Sequence, residues 1–447
     1  MLLPRVDVGP EEGVKMTLDL HRLNAVLMAT LFCQLSGASI ADEKPAMGWL
    51  IGEIGDSDVI LSGWASASIS YINNDGDSSL PQSFLNREDG FNINQIGLML
   101  EKKPKGNVVG RVGPFPGPMP DEVDFGFNVT AVYGSDAKFF RTSGWDDEWR
   151  DNENPDTENF ITLAQVFADI YIPVLGGSNL MVGLFHTPLE NDIGFDLPPP
   201  NPAVFFTRPY SFMHGPAKHA GVLYSLKLPT EDGAPLWGAE LGVVRGWNNW
   251  DDENDDVDMI FNLRWRSADM KTWVDWENIY GNGADDIDPV KETGSPIPAL
   301  SALAGDDDLK RYLTYLTVSQ VLDDSNRVAV EFTFGSQEMA LLADPPPGGV
   351  GKDAEWKGVN LNWYHRLQAD LSLNLRGEWF DTDGVNALLP FDGAMKAITA
   401  NLTWNANHAL RVRPEIRYDT WDGDGDPFAG GSRDSQFFAA LNVVYSF

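Results

Sequence analysis

The sequence predicts an all-β fold: a transmembrane, antiparallel up-and-down β-barrel of about sixteen strands, with fourteen or eighteen as neighbouring counts, preceded by a cleavable signal peptide. Three observations carry this. Apolar and polar residues alternate with period two along much of the chain, as in strands, where successive side chains point to opposite faces. No segment after Ala41 has the roughly 18 consecutive apolar residues of a membrane helix. The chain ends on Phe437, Ala439, Leu441, Val443, Tyr445 and Phe447, all on one face, with Asn442 and Ser446 on the other. A closing strand that is apolar on one face and ends in an aromatic looks like the C-terminal signal of outer-membrane barrels. A bilayer protein without membrane helices must satisfy its backbone in a closed barrel.

The N-terminus fits export. Leu23 to Leu35 is a short apolar core preceded by His21 and Arg22 and followed by Ser39-Ile40-Ala41, which resembles a cleavage site before Asp42. Asp7, Glu11 and Glu12 suit no signal peptide, so translation is expected to start at Met16 rather than Met1. This gives three divisions: 1–41 as N-terminal extension and signal peptide, 42–58 as a periplasmic segment, and 59–447 as the barrel. Cys33, the single cysteine, leaves with the signal. The mature chain then carries no thiol, which excludes cysteine catalysis and thiolate metal sites.

The strands are expected at 59–72, 90–101, 124–134, 161–172, 179–187, 219–228, 236–246, 258–266, 272–280, 310–322, 327–336, 356–366, 371–380, 395–404, 409–419 and 436–447. Each approaches the roughly 9–11 residues that a tilted membrane strand needs. In 161–172, Ala164, Val166, Ala168, Ile170 and Ile172 alternate with Gln165, Phe167, Asp169 and Tyr171. In 409–419, Leu410, Val412, Pro414, Ile416 and Tyr418 alternate with Arg411, Arg413, Glu415, Arg417 and Asp419. Connections alternate too. Those at 173–178, 267–271, 323–326, 367–370 and 405–408 are short, as periplasmic turns should be; those at 135–160, 188–218, 281–309, 337–355 and 420–435 are long, as outer loops should be. The stretch 102–123 is a long exception.

The chain holds 66 acidic and 32 basic residues, net −34; removing 1–41 takes four acids and three bases and leaves −33. Such a chain repels nucleic acid. No HExxH, Ser/His/Asp arrangement or phosphate-cradling glycine loop is present, so the reading is not an enzyme and needs no cofactor. The acids crowd the outer loops, Asp146, Asp147 and Glu148 among them, and read as solvated tips. Asp422, Asp424 and Asp426 loosely resemble a calcium loop but lack its closing Glu; they stand as a weak metal candidate.

A family resemblance rests on motifs that follow one another in order: Asn92 to Lys102 (NINQIGLMLEK), Tyr133 to Ala137 (YGSDA), Val182 to Leu189 (VGLFHTPL), Tyr210-Ser211-Phe212, Gly215-Pro216, His219 to Val222, Val244 to Trp250 (VRGWNNW) and Arg376 to Phe380 (RGEWF). Together they resemble the OmpL-like β-barrel porin family. The resemblance implies an outer-membrane porin in a Gram-negative-type envelope. It would be a water-filled channel for passive diffusion of small hydrophilic solutes or ions. Leu184 stands where a basic residue is expected in that family.

Sixteen strands enclose an aqueous channel whose selectivity comes from lumen charges. The third outer loop holds Glu190, Asp192, Asp196, Arg208 and Lys218; in general porins the loop in this place folds inward as a constriction. Alternation turns Arg264, Arg266, Arg376, Glu378, Arg411, Arg413, Glu415 and Arg417 toward the lumen. An acidic loop facing this basic wall would set a transverse field. Trp145, Trp149, Trp247, Trp250 and Trp421 are expected in an interface girdle. Expected partners are outer-membrane lipid and lipopolysaccharide, the outer-membrane assembly machinery through Phe447, and further copies in a homotrimer. The rival readings are a non-conducting barrel for adhesion or envelope structure, and a secreted soluble β-protein.

Overall fold

The computed structural model describes residues 52–53, 58–73, 90–106, 119–146, 149, 159–189, 196, 203–228, 231, 235–250, 256–282, 310–340, 352–383, 392–429 and 431–447. The expected signal peptide, its cleavage site and most of 42–58 lie outside them. A two-residue strand, β1 (Gly52–Glu53), precedes sixteen longer ones: β2 (Ile60–Ile72), β3 (Gly90–Lys102), β4 (Asp124–Gly134), β5 (Phe160–Ile172), β6 (Ser178–His186), β7 (Lys218–Leu228), β8 (Leu236–Val244), β9 (Asp258–Arg266), β10 (Thr272–Gly281), β11 (Arg311–Val321), β12 (Asn326–Ala340), β13 (Lys352–Arg366), β14 (Leu371–Asp383), β15 (Gly393–Asn405), β16 (Leu410–Gly423) and β17 (Ser435–Ser446).

Each of β2 to β17 pairs antiparallel with its sequence neighbours, and β17 returns to β2 with Asn442 opposite Ser68 and Tyr445 opposite Ala65. The sheet is therefore a closed sixteen-strand barrel without a free edge, which is what a lipid solvent demands. Phe447 extends the closure: its N–H donates to the Gly63 carbonyl at 2.9 Å and its carbonyl accepts from the Gly63 N–H at 2.8 Å. β1 pairs with the start of β2, a contact the sequence pattern does not announce.

The two faces differ as alternation requires. Phe91, Phe125, Met259 and Ile398 project outward and are 59–69% exposed, as apolar residues facing lipid should be. Inward residues are buried, and many are polar or charged: Ser66, Asn262, Glu331, Asn360, Arg413 and Asn442 among them. Two bulges shift the phase. Asn94 in β3 and Ala164 in β5 are extra residues against their partners. Above the β5 bulge the buried residues are thus Phe160, Thr162 and Ala164, so the single phase expected for 161–172 holds only from Gln165 on.

The interior is less polar than alternation implies. Ile260, Ile279, Leu313, Trp356, Phe380, Met395 and Trp421 come from seven different strands and form one buried cluster. Gly335 makes room for it, since a Cβ there would lie 2.1 Å from the Trp356 ring. Trp247 and Trp421 belong to this cluster, each 7% exposed, which corrects their assignment to an interface girdle. Trp421 has the parity of Arg417 and so faces inward. Trp149, 43% exposed, has no such burial.

Candidate functional site

The segment between β6 and β7 enters the barrel with its described residues Asp196 and Ala203 to Ala217. Of its described residues, Ala203 to Ala217 are buried apart from half-buried Val204 and carry one helical turn, α1 (Tyr210–Met213). The chain here is rich in proline, which limits both its conformations and its backbone donors. Several of the amides and carbonyls that remain find partners on the barrel wall, as buried backbone groups need partners.

Wall carboxylates take the segment's donors. Glu415 accepts from the N–H groups of Phe206 (2.7 Å) and Thr207 (2.8 Å) and from the Thr207 hydroxyl (2.6 Å). Glu378 accepts from the Tyr210 N–H at 3.0 Å. Wall guanidiniums take the segment's acceptors. Arg413 donates to the Ala203 carbonyl (2.8 Å) and to the Asp196 carboxylate (2.6 Å). Arg376 donates to the Thr207 carbonyl (3.0 Å) and hydroxyl (2.9 Å), and Arg417 to the Arg208 carbonyl (3.0 Å). Further along, the Tyr315 hydroxyl donates to the Ser211 carbonyl at 3.0 Å, and Arg264 donates to the Pro188 carbonyl at 2.7 Å. Aromatic rings of the segment lie on the same cations: the Arg376 guanidinium sits 4.6 Å from the Phe205 centroid, and that of Arg417 5.0 Å from Tyr210.

The charges are paired among themselves. Arg417 lies 2.8 Å from Asp419 and 2.9 Å from Glu378, and Arg376 lies 2.8 Å from Glu378. Arg264 bridges Glu240 and Glu277, and Arg266 joins Asp275. Burial would raise the Asp196 carboxyl, but the charges of Arg413 and Arg208 and a hydrogen bond from Ser66 hold it below its usual value. Burial first, then the Asp419 carboxylate, pushes the Tyr210 phenol well above its usual value.

The structure therefore redistributes the expected site residues. The inward loop is present. Arg376, Arg413, Arg417, Glu378 and Glu415 do face the lumen, but each is buried, with the three arginines 0–1% exposed. They hold the loop and cannot act as a free basic wall, so the transverse field expected between loop and wall is replaced by short-range pairs. Arg208 is buried and donates to the Phe205 carbonyl of its own segment at 2.6 Å. Lys218 sits fully buried, 3.4 Å from Asp146 and 3.0 Å from the Thr162 hydroxyl. It ties two outer loops together, and Asp146 is thus no solvated tip. Arg411 is half-buried and donates to Asn405 at 3.0 Å. Glu190 and Asp192 lie outside the described residues. Asp422 pairs with Lys396 at 2.9 Å, and no group of three metal-binding side chains occurs among the described residues. Leu184 is 1% exposed.

Thr207 is a part of the site that the sequence did not single out. Tyr210 and Ser211 stood only in a family motif, and Asp419 only on the face of Arg413 and Arg417.

A family model described as "Putative beta-barrel porin-2, OmpL-like" matches residues 58–447. No curated protein sequence matches the chain. Among solved structures, the outer membrane channel DcaP of Acinetobacter baumannii is similar at TM-score 0.53 and 11% identity, over 89% of this chain and 100% of that one. OmpT of Vibrio cholerae gives 0.50 and 9%, over 89% and 100%. The anion-selective porin from Comamonas acidovorans gives 0.50 and 10%, over 87% and 99%. At these identities the likeness is one of fold.

Proposed function

Because the chain belongs to the OmpL-like β-barrel porin family, we propose that its outer-membrane barrel is a channel for passive diffusion of small hydrophilic solutes or ions, and that the inward segment 187–217 sets its bore. One observation carries the second half. The segment's backbone is bonded to both carboxylates and guanidiniums of the wall, through Glu378, Glu415, Arg376, Arg413 and Arg417. A loop held this way narrows the lumen as a fixture. The test is single-channel recording of the mature chain in planar bilayers. Stable conductance steps are expected, and a barrel that inserts without conducting overturns the proposal.

The apolar cluster inside the barrel favours a second reading, a non-conducting barrel serving envelope structure, because apolar linings disfavour water and ions. The same recordings decide between them.

Three further parts of the proposal have their own tests. The signal peptide ends at Ala41, so the mass of the mature protein should match a chain that begins at Asp42. Copies associate as a homotrimer, which light scattering in detergent reports directly. Phe447, at the periplasmic end of β17, is read by the assembly machinery, so its deletion should lower the amount of folded barrel and leave the conductance of each assembled barrel unchanged.

A further inference from the structure

The lumen's arginines divide by depth. Those that hold the inward segment are neutralised. Three near the periplasmic end are not: Arg327, Arg366 and Arg411 have no carboxylate within ion-pair distance among the described residues, and the first two share one cleft. Arg327 shares the parity of buried Ala329 and Glu331, and Arg366 that of Asn360 and Asn362, so both belong to the inner wall. The Arg327 guanidinium lies 3.9 Å from the Tyr364 ring centroid and 5.5 Å from that of Trp273, and donates only a long 3.4 Å hydrogen bond to the Ser319 hydroxyl. Arg366 donates to the Asp324 carbonyl at 2.6 Å and is otherwise exposed.

A cavity of about 210 Å³ opens between them, lined by Arg327, Tyr364, Arg366 and Ser372 together with the turn before β12. That turn brings two acids. The Asp323 carboxylate is occupied, accepting from the Ser325 N–H at 2.8 Å and the Asn326 side chain at 2.9 Å. Asp324 is exposed to water. Tyr364 in turn faces Phe205 at 6.2 Å, and Phe205 lies under Arg376. A run of alternating rings and guanidiniums thus leads from the inward segment to the cleft, and a solute leaving the constriction meets it.

We infer that this cleft is an anion site for small carboxylate solutes, held by Arg327 and Arg366 beside Tyr364. The inference rests on reading the barrel as a channel open to its periplasmic mouth. A guanidinium stacked on an aromatic face keeps its planar fork of N–H donors free at the edge, and that fork matches a carboxylate in two parallel bonds. Tyr364 borders the same cavity, so the rest of a small molecule meets an aromatic side chain beside the guanidinium. The cavity is smaller than the roughly 300–1,000 Å³ of drug-sized sites, which fits one ring or a short chain. Its mouth is open and half its walls are polar, so binding should be weak, as a conducting path requires: favourable enough to enter and weak enough to leave.

The probe is benzoate, titrated by calorimetry into the mature chain in detergent. Saturable binding in the millimolar range is expected. Arg327→Gln should weaken it about tenfold, the equivalent of one lost charge-assisted pair. Arg327→Lys, which keeps the charge and loses the planar fork, should fall between the two. Arg366→Gln lies on the exposed rim, where folding is not at stake, and should weaken binding by a smaller factor. No saturable binding to the wild type overturns the site, and so does an affinity unchanged from wild type in both Arg327→Gln and Arg366→Gln. A stronger response to inorganic phosphate than to benzoate overturns the ligand class. In planar bilayers, benzoate on the periplasmic side should interrupt the wild-type current and leave the Arg327→Gln current steady. A barrel that binds benzoate but carries no current supports the site and overturns the channel reading instead.

Discussion

Arg413 and Arg411 are two residues apart on the same face of the same strand, yet the barrel uses them differently. Arg413 is fully buried and spends its donors on Asp196, Asn442 and the carbonyls of Ala203 and Phe205. Arg411 is half-buried and donates only to Asn405. Strand parity aims a side chain at the lumen; what waits there depends on a loop more than 200 positions away in sequence. The difference teaches that a charge facing a barrel lumen is not automatically a charge facing water. The inward segment converts the central arginines into fasteners, and only those below it remain open to a solute.

Arg413→Ala should have the largest effect. It removes five hydrogen bonds and leaves Asp196 buried without its nearest cation. Losing one partner of a buried pair typically costs about 3–5 kcal/mol, so thermal unfolding in detergent should drop clearly. Single-channel conductance should rise as the segment lifts from the wall. Lower stability with unchanged conductance would mean that Glu378 and Glu415 suffice to hold the segment, and would shift the fastening role to the carboxylates.

Lys218→Met should cost less. Asp146 would lose its cation but keep the N–H groups of Thr142 (2.6 Å) and Leu163 (2.7 Å) and the Thr162 hydroxyl (2.6 Å). The expected loss is about 1–3 kcal/mol, the range for one unmade buried hydrogen-bonding group. Because this pair ties outer loops and not the central fastening, conductance should stay near wild type. A conductance change as large as that of Arg413→Ala would show that the two regions are one mechanical unit.

Proton binding gives a smaller, reversible version of the first test. The Asp196 carboxyl is held below its free value of 3.8. Its contribution to docking is therefore complete above about pH 3.8 and is lost only as pH falls through the lower folded value. Conductance should be flat from neutral pH down to that point and rise below it, and Asp196→Asn should remove the rise. A rise beginning near pH 6 would point to a different group.

Much of the fold was legible because a barrel is repetitive. Alternation placed sixteen strands, and the short-long rhythm of the connections placed the loops. Parity put Arg264, Arg376, Arg413 and Arg417 inside. It could not show that Glu415 would receive two backbone N–H groups of the inward segment, since nothing local in either stretch encodes a contact 208 positions away. The bulge at Ala164 was equally invisible, because one extra residue leaves both half-strands looking regular. Trp421 is a different case. Its parity with Arg417 was readable, but the expectation of an aromatic girdle overrode it. Arg327 was passed over because a single inward arginine after a turn looks like ordinary lumen polarity until its lack of a carboxylate partner is seen.

The smallest expected effect isolates the open arginines from the fastened ones. Arg411→Ala removes a half-buried side chain that holds one hydrogen bond and no ion pair, a change in the range of about 0.5 kcal/mol typical of sites away from packed networks. The thermal midpoint should barely move. The charge it removes, however, faces a part of the lumen where no described carboxylate pairs with it. Reversal potentials across a salt gradient should then shift modestly toward cations, and the shift should shrink as salt rises and screening shortens its reach. Arg417→Ala, tested beside it, should show the opposite balance. Its stability loss should be large because Asp419 loses the Arg417 cation and Glu378 loses one of its two, and any selectivity change should be no greater than that of Arg411→Ala. If both variants shift selectivity alike without a loss of stability, the central arginines are as open to water as the peripheral ones, and the division of the lumen by depth is wrong.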